Sequence, residues 1–347
     1  MKRESFGQLP DGREVHLFTL AKGQVEAKIS NYGGSLISFL QPDSTGKKED
    51  IILGPGTLEG CLGPHPFMNT LIGRFANRIA KGKIDIDGHP YQLPLNLPPH
   101  HIHGGDRGFD KQLWDAEDVS DPDADRLKLT YTSPHGEMGY PGTLEVEVVF
   151  GLSAQHELSL DYLARTHQKT HVNLTHHGYF NLRGKGNIRG HRLMIDADEI
   201  IAADEDGIPL ASPFMEVAGT PFDFREMTPL GPRFEAHHEQ LALAKGFDRS
   251  YRFGNWDGSL RKVARVEEEE SGRVMEVLTT APGVQLYTAN FLQDVVGKGG
   301  RVYKPYDAFC LETQYFPDSP NRSEFPSTLL VAGEDYRQKT IYKFSTL

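Results

Sequence analysis

Cysteine is nearly absent: the chain of 347 residues contains two, Cys61 and Cys310. No Cys-x-x-Cys spacing exists, so a zinc knuckle is excluded. Two buried thiols are the expectation, since a chain of this length can bury a sizeable core without a disulfide. Long apolar runs are missing as well. Nothing approaches the ~18 consecutive apolar residues of a membrane-spanning helix. The basic residues of "MKRESFGQLPDGREVHLFTL" are not followed by the apolar stretch of a secretory signal. A cytoplasmic protein is therefore expected. Positive charge is in deficit: 37 Lys and Arg stand against 48 Asp and Glu, a net charge of -11. That balance argues against a nucleic-acid groove and against docking on an anionic membrane. Helical periodicity is scarce; one segment, Arg233 to Lys245 ("RFEAHHEQLALAK"), reads as a helix stopped by Gly246. There is no internal repeat, no low-complexity tract and no linker, the 36 Gly and 22 Pro being scattered among turns.

What the chain has in abundance is period-two alternation. "KIDIDGHPYQL" sets Ile84 and Ile86 before Asp87-Gly88 and Tyr91 and Leu93 after it, a strong hairpin signal because both turn positions need positive φ. "RLKLTYTS", "TLEVEVVFGL" and "ELSLDYLA" alternate apolar and polar residues in the manner of antiparallel strands with one wet face. The expectation is an all-β protein, one large antiparallel β-sandwich with very few short helices; a two-domain β protein is the alternative.

Six stretches place polar side chains in apolar or glycine-rich surroundings. In "TLIGRFANRIAKG" (70 to 82), Arg74 and Arg78 flank Asn77; the arginines could bracket sugar hydroxyls or a carboxylate, or form a surface ion-pair segment. In "PPHHIHGGDRGFDKQLW" (98 to 114), His100, His101 and His103 precede Gly104-Gly105. The spacing of His101 and His103 puts both on one face of a strand, a metal-ligand arrangement to which His177 and Glu312 could be added. Hydrogen bonding to a small polar ligand and a plain structural role are the other readings, and the paired glycines suggest backbone crowding near a ligand. In "NLTHHGYFNL" (173 to 182), strand parity groups Asn173, Thr175, His177 and Tyr179 on a polar face and Leu174, His176 and Phe180 on an apolar one. His177 and Tyr179 then look like part of a site and His176 like a partly buried structural histidine, unless Gly178 seats a bulge. "KGFDRSY" offers Asp248, and "GVQLYTAN" offers Gln285 and Tyr287 on one face. In "FCLETQYFPDSPN", Glu312 sits in a strongly apolar strand, where burial raises a carboxyl pKa; such a residue is either ion-paired or a catalytic base.

These motifs, taken in order, resemble those of the aldose 1-epimerases, the galactose mutarotases, across nearly the whole chain. The resemblance rests on "GRFANRIAKG", "IHGGDRGFDKQLW", "NLTHHGYFNL", "KGFDRSY", "GVQLYTAN" and "CLETQYFPDSPN". It implies a single domain over residues 1–347 with the galactose mutarotase-like supersandwich fold, and an open cleft on the sheet. It implies anomer interconversion of free aldohexoses such as galactose and glucose, without a metal or organic cofactor. Carried over by motif, His177 is the expected general acid and Glu312 the expected general base. Asn77, Arg78, His103, Asp248 and Gln285 form the expected sugar-binding shell. Partners beyond a small-molecule aldose are not implied; a monomer or homodimer is expected. The chain departs from the family pattern at His176, Gly178, Arg249 and Ala289. A glycoside hydrolase using Asp248 and Glu312, a non-catalytic sugar-binding module, and a metal enzyme built on His101 and His103 are the rival classes.

Overall fold

A computed structural model describes residues 1–347. Alternation becomes antiparallel sheet throughout. The expected strands are Ala124–Ser133, Leu144–Ser153 and Glu157–Thr166. They are consecutive neighbours in a nine-stranded sheet that continues through Asp335–Thr346, Arg273–Thr279, Arg261–Glu268 and His191–Ile195. A five-stranded sheet is formed by the first fifty residues. A second runs in the order Pro209–Glu216, Glu199–Ala203, Asp248–Arg252, Gly283–Tyr287, Cys310–Gln314. The Asp87-Gly88 hairpin forms as read, with φ of 55° and 80° and Ile86 opposite His89.

One apolar cluster joins all three sheets: Leu20 and Phe39, then Leu129, Phe150 and Tyr342, then Tyr251, Val284, Leu286 and Leu311. The last four come from one face of the second five-stranded sheet. Because side chains alternate, Asp248, Gln285, Tyr287 and Glu312 occupy the opposite face. The catalytic-strand candidate is fastened from behind by the long C-terminal strand. Tyr342 donates to the Leu311 carbonyl at 3.1 Å, Gln338 donates to the Thr313 carbonyl at 2.9 Å, and the Thr313 and Thr340 hydroxyls meet at 2.6 Å.

The expected single helix over Arg233 to Lys245 is two: Leu230–Phe234 and Glu239–Ala244. His238 breaks it by turning extended (φ -152°, ψ 134°) and accepting the Gln240 N–H on its ring, the work of an N-cap. Both cysteines are free and buried, as expected. No helix is long and apolar enough to cross a membrane.

Candidate active site

All seven sequence-selected residues line one cavity of about 470 Å³. Three come from the second five-stranded sheet: Asp248, Gln285 and Glu312. Its strands are in register there, so that Gln285 stands directly opposite Glu312 on one side and Ser250 on the other. The "NLTHHGYFNL" segment crosses this sheet's edge, but as a regular strand it shrinks to Thr175–His176, paired with Leu71–Ile72. Parity nevertheless holds through it. His177 and Tyr179 line the cavity, their rings stacked at 5.0 Å, whereas His176 points the other way, edge-on to Phe150. Residues 173 to 182 are buried on both faces, so the polar face looks into a pocket and not into solvent.

His177 Nε2 lies 3.6 Å from Glu312 Oε1, with both side chains almost wholly buried. Burial is the dominant influence on each. It holds the imidazole down at about 3 and pushes the Glu312 carboxyl well above the usual range; Asp248 pushes the carboxyl further up, and Arg78 pulls it back. Burial thus opposes the charged form of both groups and outweighs the stabilisation that an imidazolium and a carboxylate give each other. His177 Nδ1 and Glu312 Oε2 have no protein partner.

His103 and Asn77 are clamped together. The Asn77 N–H donates to His103 Nδ1 at 3.2 Å, and the His103 N–H donates to the Asn77 carbonyl at 3.2 Å. Both residues have positive φ, 66° at Asn77 and 50° at His103. The Asn77 amide oxygen accepts from the Arg78 backbone N–H at 2.9 Å, which sets the start of the Arg78 side chain. Arg78 Nη2 reaches to 3.9 Å from Asp248 Oδ2. Gln285 Nε2 donates to Asp248 Oδ1 at 2.5 Å.

The His101–His103 pair does not act as a unit. His101 shares hydrogen bonds with the Pro94 carbonyl (2.8 Å) and the Tyr140 hydroxyl (2.8 Å), away from the cavity. The left-handed backbone at His103 turns that residue off the strand that would have kept both rings on one face. His103, His177 and Glu312 do offer atoms within 4.8 Å of one another. A ligating imidazole, however, keeps its proton on the far nitrogen, where it donates to an acceptor. At His103 the far nitrogen faces an N–H, so the ring proton sits on Nε2. The set suits hydrogen bonding to a polar ligand and does not suit a metal ion.

Two other expectations change. Arg74 is neither a ligand group nor a surface ion pair. Its buried guanidinium donates to the carbonyls of Ser133, Pro134, Pro141 and Gly142 and to the hydroxyls of Ser133 and Thr170. Gly104 does mark backbone crowding, but against backbone: an added Cβ would lie 1.9 Å from the Gly73 carbonyl oxygen. The cavity mouth adds residues that the sequence did not single out, among them Phe67, Phe291, Glu205 and Asp206. A Phe in a turn and an Asp-Gly turn carry no signal of their own. Tyr179 and Tyr287, flagged only as face-mates of His177 and Gln285, join His177 in an aromatic cluster.

Known proteins resemble this chain over nearly its whole length. The aldose 1-epimerase family profile matches residues 16–343. A galactose mutarotase of Rattus norvegicus is 42% identical over 99% of this chain and 98% of its own length. An aldose 1-epimerase of Escherichia coli is 33% identical, covering 99% of each chain. The crystal structure of an aldose epimerase homologue from C. elegans superposes with a TM-score of 0.88 at 27% identity, over 95% of this chain and 99% of the other.

Proposed function

The chain belongs to the aldose 1-epimerase family, and we propose that it interconverts the α and β anomers of free aldohexoses such as galactose and glucose, with His177 and Glu312 moving the protons. It is a carbohydrate isomerase whose substrates are aldoses. Opening a pyranose requires a proton to leave the C1 hydroxyl and a proton to reach the ring oxygen. Concerting the two avoids a full alkoxide or oxonium, and each assisted transfer contributes roughly 10²- to 10⁴-fold. The observation that carries the assignment is the buried His177–Glu312 pair, an imidazole and a carboxyl group 3.6 Å apart in the cavity, the two kinds of group that can give and take a proton on neighbouring oxygens.

In the proposed mechanism Glu312 takes the C1 hydroxyl proton while His177 gives one to the ring oxygen. The charged form this needs is favoured on binding by Arg78, the group that lowers the Glu312 carboxyl, and by the sugar hydroxyl that donates to it. Rotation about C1–C2 presents the other carbonyl face, and the two residues return their protons in reverse. Asp248, Arg78, Asn77, His103 and Gln285 hold the remaining hydroxyls while C1 turns. Asp248 acts as an acceptor only, as a carboxylate must.

The test is polarimetry on freshly dissolved α-galactose. Glu312→Gln should lose at least about 10²-fold in rate, and a methyl galactoside should remain intact because it has no free anomeric hydroxyl. An unaltered rate in the variant would remove Glu312 as the base; release of methanol would turn the reading into a glycoside hydrolase.

A further inference from the structure

We propose that Ser250, which does not reach the cavity, is a positioning residue for sugar binding: its hydroxyl fixes the Gln285 amide, and the amide aims Asp248. The inference deepens the proposed function and rests on its placing Asp248 at the sugar.

Ser250, Gln285 and Glu312 form a single row across three hydrogen-bonded strands, directly opposite one another. Ser250 lies two residues after Asp248 on the same strand, so both project from the face that carries the site. The Ser250 hydroxyl donates to Gln285 Oε1 at 2.5 Å, and Gln285 Nε2 donates to Asp248 Oδ1 at 2.5 Å. Ser250 and Gln285 are both buried, 2% and 3% exposed, so neither can exchange its partner for bulk water. The polarity of the chain is fixed at both ends. A carboxylate offers no donor, so the amide must turn its NH₂ to Asp248; the amide oxygen then needs a donor, which the hydroxyl supplies. Asp248 Oδ1 is thereby occupied within the protein. Oδ2 is left facing the cavity side of Arg78, at 3.9 Å, free to accept from substrate hydroxyls.

Deleting the hydroxyl leaves a buried amide oxygen without a donor, the costly kind of vacancy in a polar network. The amide then gains by turning toward another donor, and Asp248 loses its anchor. The adjacent Arg249 does not substitute for it. Its side chain runs to the other face of the sheet, where Nε donates to Gln240 Oε1 at 2.5 Å and Nη1 to the Asp248 carbonyl at 2.5 Å, steadying the backbone and leaving the carboxylate alone.

The experiment measures galactose binding by titration calorimetry and anomerisation by polarimetry on the same full-length preparations. Ser250→Ala should weaken galactose binding about tenfold and lower kcat less than about twofold, because the His177–Glu312 pair is untouched. In a Gln285→Leu background, Ser250→Ala should have no further effect on binding, since the relay is already cut. Binding unchanged in Ser250→Ala overturns the proposal, and so do additive effects of the two substitutions or a fall in kcat that matches the fall in affinity. A wild-type chain that binds galactose without anomerising it would overturn the functional reading and leave the binding relay standing. A wild-type chain that does not bind galactose would overturn both.

Discussion

The adjacent histidines differ in what their rings can reach. His177 stands 3.6 Å from Glu312 in the cavity; His176 is buried against Phe150, and neither of its ring nitrogens has a partner. His177→Asn should lower the anomerisation rate by roughly 10²- to 10⁴-fold, while His176→Asn should leave it within a few-fold. Equal damage from the two would mean that His176 also acts on the sugar. The pH profile follows from the same pair. Activity needs exactly one proton shared between the two groups, so it falls at low pH when His177 gains a second and at high pH when Glu312 loses the last. Burial holds the first event down at about 3 and moves the second well above the ordinary carboxyl range. A broad plateau in kcat/KM is expected between them. Asp248 raises the Glu312 carboxyl, so Asp248→Asn should shift the alkaline limb to lower pH as well as weaken binding. A limb that stays in place would show that Asp248 does not act on the pair.

At the scale of elements, the site depends on short irregular segments braced by backbone. The loop that carries His103 threads past residue 73 so closely that an added Cβ at Gly104, itself at φ 86°, would sit 1.9 Å from the Gly73 carbonyl oxygen. Gly104→Ala should therefore cost more than about 2 kcal/mol of stability and lower activity together with it. A melting temperature equal to that of wild type would refute that reading of the loop. Arg74 braces the next layer, joining the segment before Asn77 to two loops through six acceptors. These elements were the least legible in the sequence. An arginine four residues from another reads as a pair, because spacing is all a sequence shows; which of the two turns inward depends on carbonyls about sixty residues away or more. The split of His101 from His103 has the same origin: a left-handed backbone at a non-glycine residue leaves no mark in the alternation pattern. The interrupted helix at His238 is a third case, since the capping hydrogen bond comes from a residue that a periodicity reading counts as helical.

For the molecule as a whole, the excess of negative charge extends to the cavity mouth, where Glu205 and Asp206 are exposed. A hexose 6-phosphate should accordingly be a poorer substrate than the free hexose, by about tenfold or more in kcat/KM at low salt, with the gap narrowing as salt screens the mouth. Equal rates at low salt would sink this prediction. The sequence by itself determined the class of fold, because burying one face of a pleated strand imposes a period of two that survives in the residue order. Through the resemblance carried by its six motifs it also named seven of the residues that meet in the cavity, and parity separated His177 from His176, although Arg74 and His101 were not told apart from them. Only the tertiary structure decided how those residues act on one another. The register that sets Ser250, Gln285 and Glu312 in one row joins strands far apart in the chain. The burial that lowers the His177 imidazole and raises the Glu312 carboxyl is a property of everything packed around them. Neither is written in any one stretch, because both arise from contacts between segments that the order of residues does not place side by side.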